Sequence, residues 1–189
     1  MSRRQFTAFF ILLLIGLINA FTIPTGVSSE IRILPGTEEN PVFEYIGTSL
    51  DAEIIGTEED DFVRLDFNDA YPGGEIGHPS LPVIRKLIQI PFGASPRISI
   101  DQIATETYSL EDFGIFAPIY PRQAPVPKIR DYRPEFDFRK DVYESNTQVF
   151  DRSVEIIDVQ TARNYRLALI EIRPVNYNPS AGEIEVIQS

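Results

Sequence analysis

The sequence predicts an all-β fold, an antiparallel β-sandwich or jelly-roll-like domain, on three observations. Fifteen prolines and eleven glycines in 189 residues interrupt the chain too often for long helices. Between them lie short runs rich in β-branched residues, several alternating apolar and polar with period two. No stretch offers three turns of an amphipathic helix, and no internal repeat is present.

Taken in order, residues 1–20 carry Arg3 and Arg4, an apolar core over 6–18 broken only by Thr7 and Gly16, and a closing Ala20. A basic end, a short apolar run and a small residue predict a secretory signal peptide. The run is shorter than the roughly 20 apolar residues a membrane span needs, leaving an uncleaved signal anchor as the alternative. Residues 21–41 read as a leader with little structure of its own, with one possible strand at 31–34. Residues 42–189 are expected to form the β domain. Residues 42–55 suit a strand and a turn, and V-R-L-D-F at 63–67 alternates as a half-buried strand should. Residues 68–77 (NDAYPGGEIG) read as turn and loop.

The stretch that organises the rest is GHPSLPVIRKLIQIPFG at 77–93. Pro79 and Pro82 hold its entry extended, because proline fixes its own φ and restricts the residue before it. An apolar strand over 83–90 then meets Pro91, which cannot donate to a ladder, and Gly93 supplies the turn. Residues 97–100 (RISI) alternate, which predicts a strand paired with 83–90. Residues 102–112 suit a further strand with a return. Residues 115–132 (IFAPIYPRQAPVPKIRDY) hold Pro118, Pro121, Pro125 and Pro127, a spacing that forbids helix and favours an extended path. Connections this long tend to be functional or disordered. Residues 154–159 read as a strand and 165–173 as a central strand covered on both faces, ended by Pro174. A turn over 178–182 leads into an alternating strand at 183–187. Those last two strands are expected to pair as a hairpin.

The formal charge is −11, and loss of residues 1–20 with Arg3 and Arg4 takes it to −13. Such a surface repels phosphate backbones, so nucleic-acid binding is not expected, and membrane contact is expected only through the signal peptide. The chain has no cysteine, which excludes thiol catalysis and a cysteine-ligated zinc site. Its one histidine, His78, lies between glycine and proline with no G-x-S-x-G elbow elsewhere, and reads as a turn residue rather than a catalytic base. Glu58, Glu59, Asp60, Asp61, Asp66, Asn68 and Asp69 do not match calcium-loop spacing and read as a solvated acidic surface. No cofactor, metal or catalytic residue is expected.

Two motifs resemble the propeptide (N-terminal prodomain) of gingipain-type cysteine peptidases, peptidase family C25. The first is G-x-P-x-L-P followed by I-x-I-P-x-G, carried by Gly77, Pro79, Leu81, Pro82, Ile90, Pro91 and Gly93. The second is the closing stretch with Tyr165, Arg166, Pro174, Tyr177, Asn178, Pro179 and Gly182. The resemblance spans about 77–186 and implies a β-rich sandwich that precedes a peptidase, helps it fold and covers its active-site cleft until proteolytic removal. It implies as partner a cysteine peptidase domain in cis, downstream. The chain ends at Ser189 just after its last predicted strand, so a fragment of a longer precursor is expected. Because gingipain-like enzymes favour arginine or lysine in the specificity pocket, the resemblance implies a basic plug. The proline-rich loop offers Arg122, Lys128 and Arg130, with Arg122 placed first because it follows Pro121 at mid-loop. The rival reading is an extracellular β-sandwich for adhesion or carbohydrate binding, with Tyr120, Tyr132, Tyr143 and Tyr177 as aromatic platforms.

Overall fold

The computed structural model describes residues 20–25, 30–37, 40–47, 49–58, 60–130, 132 and 134–189. The expected signal peptide therefore lies, but for Ala20, outside the described residues. The fold is all-β, with strands β1 (Ala20–Ile23), β2 (Glu30–Leu34), β3 (Val42–Ile46), β4 (Leu50–Gly56), β5 (Asp61–Asp66) and β6 (Tyr71–Pro72) in the first half. β7 (Pro82–Ile90), β8 (Thr105–Ser109), β9 (Val154–Ala162), β10 (Tyr165–Ile172), β11 (Val175–Asn178) and β12 (Glu183–Ile187) follow. Among the described residues helix is confined to a 3₁₀ turn at Leu110–Phe113 and one short α-helix, α1 (Lys140–Tyr143).

The strands form sheets in the orders β1-β4-β5, β6-β7-β10-β9 and β11-β12-β8, with β2-β3 as a separate ribbon, and every strand pair is antiparallel. Three sheets share one apolar core. Leu50, Val63 and Leu65 come from the first, Val83 and Ile84 from the start of β7 with Leu81 just before it, and Val175, Tyr177, Ile184 and Val186 from the third. With no disulfide available, this burial is what holds the domain together. Among the described residues one charged side chain enters the interior: Glu171, only 5 % exposed, is held by Arg85 at 2.9 Å and Arg173 at 3.0 Å.

Three expectations need correction. Residues 97–100 lie in no strand; the partner of β7 comes from far along the chain, β10, in register from Arg166↔Ile90 to Ile172↔Ile84. Alternation says that a segment can pair, not with what. The last hairpin joins β11, not β10, to β12, because Pro174 ends β10 and sends the chain into another sheet. The possible strand at 31–34 is present as β2, paired with β3, but the segment otherwise expected to have little structure also contains β1, which adds to β4, and Ile23 is completely buried. Burial of Ile23 and the ladder to β4 together hold that strand.

β5 is the strand that positions the proline-rich connection. Its Val63 and Leu65 face the shared core, whereas Phe62, 2 % exposed, points to the opposite face. There it meets Tyr120, Phe136 and Phe138 at ring-centroid distances of 5.9, 5.5 and 5.8 Å. β5 is thus covered on both faces, the second time by the long connection between β8 and β9.

Candidate functional site

The proline-rich connection divides into a buried leg and an exposed tip. In the leg, Ile115 and Ile119 are 2 % and 0 % exposed, and Pro121 is buried. Prolines remove donors, so the leg spends its remaining ones with care: Tyr120 N–H donates to Val63 at 2.7 Å, and Arg122 N–H to His78 at 2.8 Å. In the tip, residues 125–130 are all exposed, with Val126 at 59 % and Ile129 at 65 %.

Gly77 ties the two ends of this excursion together. Its N–H donates to Arg122 at 2.8 Å, and its carbonyl accepts from the N–H of Arg139 at 2.9 Å. Only glycine suits the position: φ is +80°, and an added Cβ would lie 2.8 Å from Cγ of Arg139. Next to it Pro79 bridges Pro121, and Ser80 N–H donates to Tyr120 at 2.9 Å. His78 sits in this turn with Nε2 3.6 Å from Glu75.

A second closure lies closer to the tip. The side-chain amide of Gln123 donates to the carbonyls of Pro121 (3.0 Å) and Asp137 (2.9 Å), and its Oε1 accepts from the Asp137 N–H at 2.9 Å. The Asp137 carboxylate in turn accepts from the Ala124 N–H at 3.1 Å. Beneath it, Tyr143 Oη donates to the Ile119 carbonyl at 2.6 Å. Burial, with the neighbouring Tyr177 adding to it, holds the Tyr143 phenol far above its ordinary range. Burial likewise pushes Tyr177 up to about 12. Arg64 stacks over Tyr120, 5.7 Å from the ring centroid.

The three basic candidates are not equivalent. Arg122 is half-buried, and its guanidinium donates to the Pro72 carbonyl, so its head is held against the domain. Lys128 and Arg130 are exposed at the tip. Of the four tyrosines, Tyr177 and Tyr143 are engaged in the interior and Tyr120 in the aromatic cluster, leaving Tyr132 exposed at 48 %. Gln123 and Asp137 escape sequence reasoning: they close the neck only in three dimensions, and no local pattern singles out one amide and one carboxylate.

The motif residues are framework. Pro79 and Leu81 are fully buried, Pro82 opens β7, and Ile90 closes it before the Pro91–Gly93 turn, where Gly93 takes a φ of +78°. Tyr165 opens β10, and Arg166 reaches across to that turn, its guanidinium donating to Ala94 and, at 3.3 Å, to Pro91. Pro174 accepts from Ile187 N–H at 2.8 Å, and Tyr177 is 3 % exposed. Asn178 donates to Asn146 at 3.1 Å; Gly182, φ +64°, donates its N–H to the Pro179 carbonyl at 3.4 Å across the β11–β12 turn, and its carbonyl accepts the Leu110 N–H at 3.0 Å.

No protein-family model matches the chain. Lys-gingipain HG66 of Porphyromonas gingivalis is 30 % identical over 135 residues, which cover 70 % of this chain and 8 % of that protein. Lys-gingipain of the P. gingivalis strain ATCC 33277 matches to the same extent. The chain thus spans a small part of the length of these relatives. A chain solved in a study of zymogenic latency of gingipain K from P. gingivalis superposes with a TM-score of 0.76 at 24 % identity, covering 89 % of this chain and 93 % of that one. The chain is a relative of the gingipain propeptides. A structure of the complex of P. gingivalis RgpB pro- and mature domains shares the fold as well, with a TM-score of 0.70 at 12 % identity over 84 % of this chain and 79 % of that one. Having no cysteine, this chain cannot supply the thiol nucleophile of a cysteine peptidase.

Proposed function

We propose that the chain is the secreted prodomain of a gingipain-like cysteine peptidase encoded downstream in the same precursor. It assists folding of that peptidase and blocks its active-site cleft until it is removed by proteolysis. Residues 1–20 direct export, and residues 21–189 are the inhibitory domain. The carrying observation is the contrast within one connection: an exposed tip with Lys128 and Arg130 stands on a leg whose Ile115 and Ile119 are buried in the core.

The physics of this inhibition is simple. A substrate-like segment binds a cleft well when little entropy is lost on ordering it, and Pro125 and Pro127 restrict the tip before it meets a partner. A basic side chain then enters an acidic specificity pocket. Lys128, directly after Pro127 and exposed, fits that role better than Arg122, whose guanidinium already donates to the Pro72 carbonyl, and Arg130 adds a second exposed basic residue at the tip. The apolar Val126 and Ile129 on either side of Lys128 add surface to bury against the cleft. The acidic remainder of the domain suits a peptidase surface of opposite charge.

The test is inhibition of a purified gingipain-type peptidase, one with lysine and one with arginine preference, by residues 20–189. Inhibition in the nanomolar range of at least one of them, and none of a papain-type control, is the expected result. Absence of inhibition of both gingipain-type enzymes overturns the reading and returns attention to adhesion.

A further inference from the structure

We infer that Gln123 and Asp137 form a latch that holds the exposed tip in one shape, and so act as positioning residues for inhibition. For its consequence on a peptidase the inference rests on the proposed function; its effect on the loop itself does not.

The Gln123 side chain meets the backbone of Asp137 as a peptide group would in an antiparallel ladder. Its Nε2 donates to the Asp137 carbonyl at 2.9 Å and its Oε1 accepts the Asp137 N–H at 2.9 Å. Neither residue lies in a strand, so one side-chain amide takes the place of a missing rung. The second Nε2 proton goes to Pro121 at 3.0 Å, which fixes the amide's orientation. The Asp137 carboxylate then takes the Ala124 N–H at 3.1 Å, the first backbone donor beyond the neck. Gln123 and Asp137 are half-buried, so these bonds compete with water less than bonds at the surface do. Below the latch both legs are already anchored, one by Pro121 on Pro79 and the other by Phe138 on Phe62, and Phe136, one residue to the tip side of Asp137, packs on Phe62 as well. Above it the prolines at 125 and 127 supply no N–H, and residues 125–130 are exposed. The latch, with Phe136 packed beside it on Phe62 and Tyr120, is therefore where the anchored part of the connection gives way to the exposed tip, and the stiffness that lowers the entropic cost of binding begins there.

The chemistry of the two residues dictates the variants. Gln123→Glu is nearly isosteric but cannot donate, so it breaks two of the bonds and sets a carboxylate against two carbonyls. Asp137→Asn keeps an acceptor for the Ala124 N–H and should preserve the latch. Two readouts are taken on residues 20–189: the rate at which trypsin cuts after Lys128 or Arg130 under native conditions, and the inhibition constant against a gingipain-type peptidase. Losing two bonds of ordinary strength should speed the cut and weaken inhibition about tenfold each in Gln123→Glu, with Asp137→Asn near the wild type. The melting temperature should move by less than about 3 °C, because the core is untouched. Unchanged cutting and inhibition in a folded Gln123→Glu protein overturn the latch. So does a larger melting shift, which would make Gln123 part of the framework. If the unsubstituted domain inhibits neither peptidase, the proposed function falls, and the trypsin rate alone decides the latch.

Discussion

Ile119 and Ile129 belong to the same proline-rich connection, yet one is 0 % and the other 65 % exposed. The same split divides the basic residues: Arg122 has its guanidinium on the Pro72 carbonyl, whereas Lys128 is exposed. A segment that reads as one loop is thus two things, a strip of core that happens to lack regular structure and a short projection standing on it. Prolines serve both halves for different reasons. In the leg they fit where few N–H groups need partners, and in the tip they limit the shapes the backbone can take. A binding loop keeps its geometry when its ends are part of the core.

The widest gap between the halves should appear in stability. Ile119→Ala opens a cavity beside Val63 and is expected to cost about 3 kcal/mol, and Ile129→Ala to stay within about 0.5 kcal/mol. Urea denaturation of both variants measures it, and equal effects would erase the division. Next comes Gly77→Ala, where a left-handed φ and a 2.8 Å approach to Arg139 coincide. A loss of about 2 kcal/mol is expected. Because Gly77 holds both ends of the excursion, hydrogen exchange should also quicken at the Arg122 and Arg139 amides.

A smaller effect is alkaline lability. Tyr177 is pushed up to about 12 by burial and Tyr143 is raised in the same direction, against an ordinary tyrosine value near 10. Above pH 10 the unfolded chain releases these protons and the folded one keeps them, so stability is full below about pH 10 and declines as pH rises toward 12. Tyr177→Phe should flatten that decline in a urea titration at stepped pH. Lys128→Ala, which touches only the tip, should leave it unchanged. The smallest expected effect is that of Lys128→Ala on stability at neutral pH, near zero, since an exposed lysine contributes little to the folded state.

What was legible in the sequence follows the same division. Gly77, Pro91, Gly93 and Gly182 announce themselves because their backbone conformations admit few residue types, and every one of them marks a turn. The strands over 63–67, 83–90 and 183–187 were legible because burial of one face writes a period into the chain. Partners were not: the pairing of β7 with β10 places Arg166 on the Pro91–Gly93 turn, and neither half reveals the other. The latch was invisible for a related reason, since Gln123 and Asp137 acquire their meaning only where the chain crosses back. Basic residues at 122, 128 and 130 were legible as candidates, but only the fold puts the Arg122 guanidinium on the Pro72 carbonyl and leaves Lys128 exposed.

The central claim is that the tip, and not the leg, meets the peptidase. It is tested most directly by the inhibition constants of Lys128→Ala, Arg130→Ala and Arg122→Ala against a gingipain-type peptidase that the unsubstituted domain inhibits. Loss of a basic side chain from a specificity pocket should weaken inhibition about 30-fold or more in one of the two tip variants, with Arg122→Ala within about threefold of the parent. The reverse pattern, with Arg122→Ala crippled while folded and both tip variants unaffected, would contradict it.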